Sequence, residues 1–241
     1  LTVSLHSCIV ESQTHADRPG GLFVNILIAG ETSGRIRNAF RRLGHDACSC
    51  DLLPAVDGPN YHIQADMFHV LGYGCWDMLI AHPTCTYLTV SAEWAYADIP
   101  MIKGKPRNIK VGTLTGAQRL TARETALEDV RRLMGSGVGK ICIENPVGKI
   151  GTGIRPADQY IQPYQFGHDA SKRTGLWLTG LPRLSIPPEE EWIAPRIVEG
   201  KKRWANQTDS GQNRLGPSAN RWSVRSETYQ GWADAMAAQW G

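Results

Sequence analysis

The chain has 241 residues, 41% of them hydrophobic and 20% charged, which suffices for one substantial core and a small accessory lobe. No apolar run approaches the ~20 residues needed to cross a bilayer, so no membrane partner is expected. The net charge of +3, from 26 Lys and Arg against 23 Asp and Glu, permits a polyanionic partner without demanding one.

The cysteines, Cys8, Cys48, Cys50, Cys75, Cys85 and Cys142, show neither a disulfide framework nor repeated Cys-x-x-Cys pairs, which fits a reducing cytoplasm. His45, Cys48 and Cys50 are the one grouping that suggests a metal. A second ligand pair is missing, and no metal is expected. The first 23 residues lack a basic leader and a cleavage pattern, so they read as a tail or arm, not a signal peptide.

Val24 to Ala29 is a short apolar run ending in Gly30, as a buried parallel strand would be. After Gly34, residues Ile36, Ala39, Phe40 and Leu43 recur at helical spacing, and Gly44 supplies the stop. Ala47 to Cys50 predicts a second strand ended by Asp51, and a third short apolar stretch precedes Asp66. Trp76 to Ala81 is another buried strand that runs into His82-Pro83-Thr84-Cys85-Thr86. From Tyr87 to Thr113 the pattern is irregular and suits a mobile loop, with Lys103, Lys105, Arg107 and Lys110 along it. Ala117, Leu120, Ala126, Leu127, Val130 and Leu133 then predict an amphipathic helix closed by Gly135. Lys140 to Ile143 predicts a strand that ends in Glu144-Asn145-Pro146, where Pro146 forbids continuation. Beyond Thr179 the strand pattern fades until a helix over Tyr229 to Trp240.

Strands and helices alternating in this way predict a right-handed parallel α/β sheet with its ligands beyond the carboxyl ends of the strands. Gly30, Asp51, Cys85 and Glu144 all fall at such ends, which groups them into one site. Each has a plainer reading too. Gly30 and Gly34 suit any strand-to-helix turn as well as one that brings backbone close to a ligand. Asp51 is either a ribose-binding carboxylate or a solvated strand-end acid. Asp66 alone is a surface acid or an acceptor for an adenine amino group. Cys85 is either a buried, inert thiol or a partly exposed nucleophile. Glu144, its direction fixed by the following proline, is a candidate acid or base. Lys172 and Arg173, near Trp177, could contact phosphate or base, or be solvated surface.

In order, Ile28-Ala29-Gly30, Asp51, Asp66, His82-Pro83-Thr84-Cys85-Thr86 and Glu144-Asn145-Pro146 resemble the motifs of the cytosine-C5 DNA methyltransferase family, especially its compact, phage-type members. The resemblance implies a Rossmann-like parallel or mixed sheet of the S-adenosylmethionine-dependent methyltransferase type. It assigns S-adenosylmethionine to Gly30, Glu31, Gly34, Asp51, Leu52, Asp66 and Pro83. It makes Cys85 the nucleophile that adds to C6 of cytosine and Glu144 its partner at the base edge, with Arg173 beside them. Thr86, Asn145 and Lys172 are assigned to DNA or the flipped base. The implied organisation is an arm over 1–23, a catalytic domain over 24–178, a short recognition-like or linker region over 179–215 and a returning C-terminal helix over 216–241. The implied setting is restriction-modification in the cytoplasm of a phage host.

This sequence departs from the family pattern in three places: Thr84 replaces the usual proline before the nucleophile, Glu31-Thr32-Ser33 occupies the glycine turn, and the interval for target recognition is short. These departures leave open a same-fold transferase acting on free or single-stranded pyrimidine nucleotides. They also leave open a catalytically idle module that binds nucleic acid or cofactor.

Overall fold

The computed structural model describes residues 24–216 and 227–241. The arm expected over 1–23 and part of the expected C-terminal return lie outside the described residues.

The core is a seven-stranded sheet. Its strands are β1 (Asn25–Ala29), β2 (Asp46–Asp51), β3 (His62–Gln64), β4 (Met78–Ala81), β5 (Lys140–Pro146), β6 (Gln159–Ile161) and β7 (Thr174–Thr179). In space they run β3-β2-β1-β4-β5-β7-β6. β1 to β5 are parallel, and β7 is antiparallel to both of its neighbours. Strand order reverses between β1 and β4, so the crevice at their carboxyl ends is the natural ligand site of this topology. The result is a mixed, mostly parallel α/β sheet with one antiparallel strand near its edge.

Alternating side chains build a core on each face. Ile26, Ile28, Met78, Ile80 and Cys142 pack on one side with helix α1 (Arg35–Arg42) and the C-terminal helix α5 (Gln230–Trp240). Leu27, Ala29, Leu79, Ala81, Ile141 and Ile143 pack on the other with α2 (Met67–Tyr73), α3 (Gly116–Met134) and the short α4 (Ile150–Gly153). Both faces of the central strands are covered, and for that reason their sequences are continuous apolar runs. Each fully buried Leu or Ile contributes roughly 1.5–3 kcal/mol, so β1 and β4 form a rigid platform beneath the crevice.

β5 ends at Pro146, as expected, with Glu144, Asn145 and Pro146 paired to Leu176, Gly175 and Thr174 of β7. Two local expectations need correcting. The early turns of α3 bury Arg119 and Arg123 while Leu120 is 47% exposed, so the face inferred from Ala117 and Leu120 is displaced. Residues 87–113 are structured: a 3-10 helix spans Val90–Tyr96, and Met101–Ile102 pairs with Lys105–Pro106. Among the reduced thiols are Cys50, Cys75, Cys85 and Cys142. No described helix is long and apolar enough to cross a membrane.

Candidate active site

The first wall of the crevice is the turn after β1. Gly30 has φ 77°, and a Cβ placed there would lie 2.5 Å from the His82 carbonyl oxygen. The turn is pinned by Gly30 N–H donating to the Cys50 carbonyl at 2.7 Å and by His82 N–H donating to the Ala29 carbonyl at 2.8 Å. Gly30→Ala therefore meets both an unfavourable backbone region and a backbone contact that cannot yield. The expected cost is about 1–3 kcal/mol, read by urea denaturation.

Glu31 is 3% exposed and turns inward. Its carboxylate accepts from the backbone N–H of Ile36 at 2.8 Å and of Arg37 at 3.2 Å, and from the Ser33 hydroxyl at 3.2 Å. These amides at the start of α1 are thus capped by the chain itself. Gly34, with φ 68°, precedes the helix. Arg35 reaches across to Glu227 at 2.8 Å and to the Thr228 carbonyl at 2.7 Å. The segment before α5 thereby joins Gly30, Thr32, Ser33 and His82 in lining a narrow cleft.

Asp51, at the end of β2, accepts from Leu53 N–H at 2.9 Å through one oxygen, and the neighbouring Leu52 is 69% exposed. A carboxylate beside open apolar surface suits the ribose and ring of a nucleoside. The following loop is held by Arg37, which is 2% exposed and donates to Ser49 at 2.9 Å and to Asp57. Asp66 is the N-cap of α2, accepting from Phe68 and His69 N–H at 2.9 and 3.3 Å through a single oxygen. Its exposed position leaves the carboxylate accessible while it caps the helix. Burial pushes the Cys50 thiol up to about 12 and the Cys142 thiol well above its ordinary value, which makes both poor nucleophiles. No group of metal ligands occurs among the described residues.

The chemically richest part joins the segment after β4 to the end of β5. Asn145 Nδ2 donates to the Pro83 carbonyl at 2.9 Å, and His82 Nδ1 lies 2.7 Å from Glu144 Oε2. The side chains of His82 and Glu144 are only 12% and 8% exposed. Glu144 Oε1, His82 Nε2 and Asn145 Oδ1 are buried without a partner. Three such atoms clustered at one strand end are costly for the fold alone, which marks the place as a site for something polar.

Burial alone would raise the Glu144 carboxyl; the His82 hydrogen bond and the charges of Lys172 and His82 outweigh it and hold the group below its ordinary value. A lowered carboxylate contributes stability above its unfolded value and loses it as pH falls through the folded value. The stability gap between wild type and Glu144→Gln should therefore narrow on acidification from neutral pH, as measured by urea denaturation across that range.

Cys85 is half-buried and begins a tight turn, its carbonyl accepting from Leu88 and Thr89 N–H at 3.0 Å each. The turn is stitched to the chain after β5 by Lys149 N–H donating to the Leu88 carbonyl at 2.7 Å. From α3, Arg119 donates to the Thr86 carbonyl at 2.9 Å, and Arg123 to the Tyr87 carbonyl at 3.2 Å. Sequence reasoning missed both arginines. Their signal was an arginine pair at i and i+4 on an otherwise apolar stripe. A cleft of about 270 Å³ opens beside this turn, with Thr86, Tyr87, Lys110, Thr113 and Arg119 among its walls.

Thr86 is exposed and Pro83 is buried. Lys172 lies close enough to influence Glu144, with its Nζ 5.9 Å from the Trp232 ring centre. Arg173 instead lies over the Tyr160 ring at 4.2 Å. The structure thus gathers Gly30, His82, Glu144, Asn145 and Lys172 around one crevice, with Cys85 on the adjoining turn. Arg173 points elsewhere.

No protein-family model matches the chain, and no curated protein matches its sequence. Among solved structures, one similar chain is described as a DNA modification methyltransferase encoded within a prophage of E. coli. It is 14% identical with a TM-score of 0.41, over 73% of this chain and 53% of that one. Another is a mutant of Spodoptera frugiperda DNMT2, 14% identical with a TM-score of 0.33, over 74% of this chain and 56% of that one. The chain thus spans about half the length of the solved structures it matches.

Proposed function

We propose that this protein transfers a methyl group from S-adenosylmethionine to C5 of cytosine in DNA, through a transient bond between Cys85 and C6. The observation that carries the reading is the direct bonding of Glu144 and Asn145 to His82 and Pro83, which sets an unpartnered Glu144 oxygen beside the turn bearing Cys85.

The residues present fit the cofactor. The narrow turn at Gly30 excludes side-chain bulk, and Asp51 with exposed Leu52 offers a carboxylate beside apolar surface. Pro83 and Asp66 complete the set, while Glu31 and Gly34 brace the turn from within. When bound, the cofactor supplies an electrophilic methyl on a sulfonium.

Cytosine C5 is a weak nucleophile. Addition of the Cys85 thiolate to C6 moves the C5–C6 electron pair into the ring, and C5 then takes the methyl group. Loss of the C5 proton and cleavage of the C6–S bond release product and thiolate. Glu144 meets the base at N3 and the amino group, where a proton offsets the charge that addition places on the ring. The base must leave the stack to reach this crevice, at a cost of a few kcal/mol. Lys103, Lys105 and Arg107 on the ribbon after Cys85, Lys172 and Thr86 near the crevice, and Lys201 with Lys202 on the hairpin Arg196–Val198/Lys201–Arg203 are the proposed DNA contacts.

The test is nucleoside analysis of duplex DNA, single-stranded DNA and free cytidine nucleotides after incubation with labelled cofactor. Label recovered as 5-methylcytosine from duplex supports the proposal. Label on an exocyclic amino group contradicts it, and label confined to free nucleotides reassigns the substrate.

A further inference from the structure

We infer that the cleft beside the Cys85 turn is a phosphate-binding site built around Arg119 and Lys110. Three arginines among the described residues are buried: Arg37, Arg119 and Arg123, at 2%, 4% and 8% exposure. Arg37 pairs with Asp57, and Arg123 pairs with Glu93 at 2.7 Å. Arg119 differs from both. Its hydrogen bonds go to the carbonyls of Thr86 at 2.9 Å and Leu114 at 3.4 Å, and its Nε is buried without a partner. No carboxylate pairs with it among the described residues. A buried cation without an opposite charge destabilises the fold, and an anion bound beside it supplies the missing charge.

Arg119 lines the cleft of about 270 Å³, whose two charged wall residues, Lys110 and Arg119, are both basic; Thr86 and Thr113 add hydroxyls. The chain builds this place locally. Lys110 to Thr113 form a tight turn in which Thr113 N–H donates to the Lys110 carbonyl at 3.1 Å, and Gly112 supplies the positive φ of 83° that the turn requires. α3 follows at once and carries Arg119 inward. The Tyr87 and Tyr96 ring centres lie 5.2 and 5.0 Å from its guanidinium carbon, which holds the planar fork in place before any ligand arrives. The Asp98 carboxylate lies against Gly116 at the start of α3, so the helix terminus is left out of the site. A guanidinium fork, an ammonium and two hydroxyls suit a tetrahedral oxyanion, phosphate above all. Resting on the proposed function, this phosphate is a backbone phosphodiester of DNA beside the cytosine that enters the crevice, because Thr86 directly follows Cys85. A free pyrimidine nucleotide offers the same chemistry as a monoester.

The test is one of binding and needs no turnover. Inorganic phosphate is titrated calorimetrically, at constant ionic strength, into wild type, Arg119→Gln, Lys110→Ala and a control, Lys140→Ala, at the opposite end of the sheet. Wild type and the control should bind alike. Arg119→Gln should weaken phosphate at least about tenfold, and Lys110→Ala about three- to tenfold. Lys110 is exposed, so its variant keeps the test decisive where Arg119→Gln does not fold. For duplex DNA, the slope of log affinity against log salt should fall by about one in either variant, which identifies the phosphate as the backbone's. Weaker binding of deoxycytidine monophosphate with an unchanged slope for DNA overturns the backbone assignment and makes the free nucleotide the source. No phosphate binding by wild type, or equal binding by all four proteins, overturns the site itself. Methyl transfer assayed on the same preparations separates the two readings. Transfer without phosphate binding removes the site and leaves the proposed function; phosphate binding that the variants lose, in a protein that transfers no methyl, removes the function and leaves the site.

Discussion

Replacing Cys85 by alanine is expected to abolish methyl transfer, by at least about a thousandfold, while leaving S-adenosylmethionine affinity within a few-fold of wild type. The size follows from the role: without a thiolate there is no covalent route to make C5 nucleophilic, and no nearby residue supplies a substitute. Cys50 and Cys142 are buried thiols whose protons burial retains, and Cys75 precedes β4, at the opposite end of the sheet from the crevice. Cofactor binding should persist because Gly30, Asp51 and Leu52 belong to β1, β2 and their turns. Calorimetry with cofactor and a filter assay for labelled DNA measure the two quantities on one preparation. Residual transfer near the wild-type rate would remove the mechanism.

Glu144→Gln should lower kcat by about a hundredfold, with DNA affinity changed only a few-fold. The amide keeps the shape of the side chain and one acceptor, so His82 Nδ1 still has a partner. It can no longer carry a proton to N3. Steady-state kinetics separate the outcomes: a fall in kcat places Glu144 at the transition state, whereas a rise in KM alone would reduce it to a substrate-binding group.

The parts of this molecule that were legible in its sequence are those that burial dictates. β1, β4 and β5 announce themselves because both of their faces are covered, and Cys85 and Glu144 were found because each follows such a run. β6 has three residues, and β7 owes its existence to pairing with β5, so neither carries a local pattern strong enough to read. Asp66 as a helix cap was readable in principle, since an Asp before Met67-Phe68-His69-Val70 is a common helix start. The α3 face was misplaced because its buried stripe includes Arg119 and Arg123, which hydrophobic periodicity counts as surface. Their burial makes sense only once the carbonyls of Thr86 and Tyr87 are seen to receive them. His82 belongs to the same class. Its partner is 62 residues away in the chain, and adjacency in the sheet alone brings them together.

The most direct test of the central claim is incubation of the protein with tritium-labelled S-adenosylmethionine and duplex DNA containing 5-fluorocytosine, followed by a denaturing gel. Fluorine at C5 cannot leave as a proton does, so the C6–S bond should persist. The account predicts a labelled protein–DNA adduct that is absent in Cys85→Ala. Methyl transfer to unsubstituted DNA with no adduct on the fluorinated duplex, or an adduct that survives loss of Cys85, would contradict it.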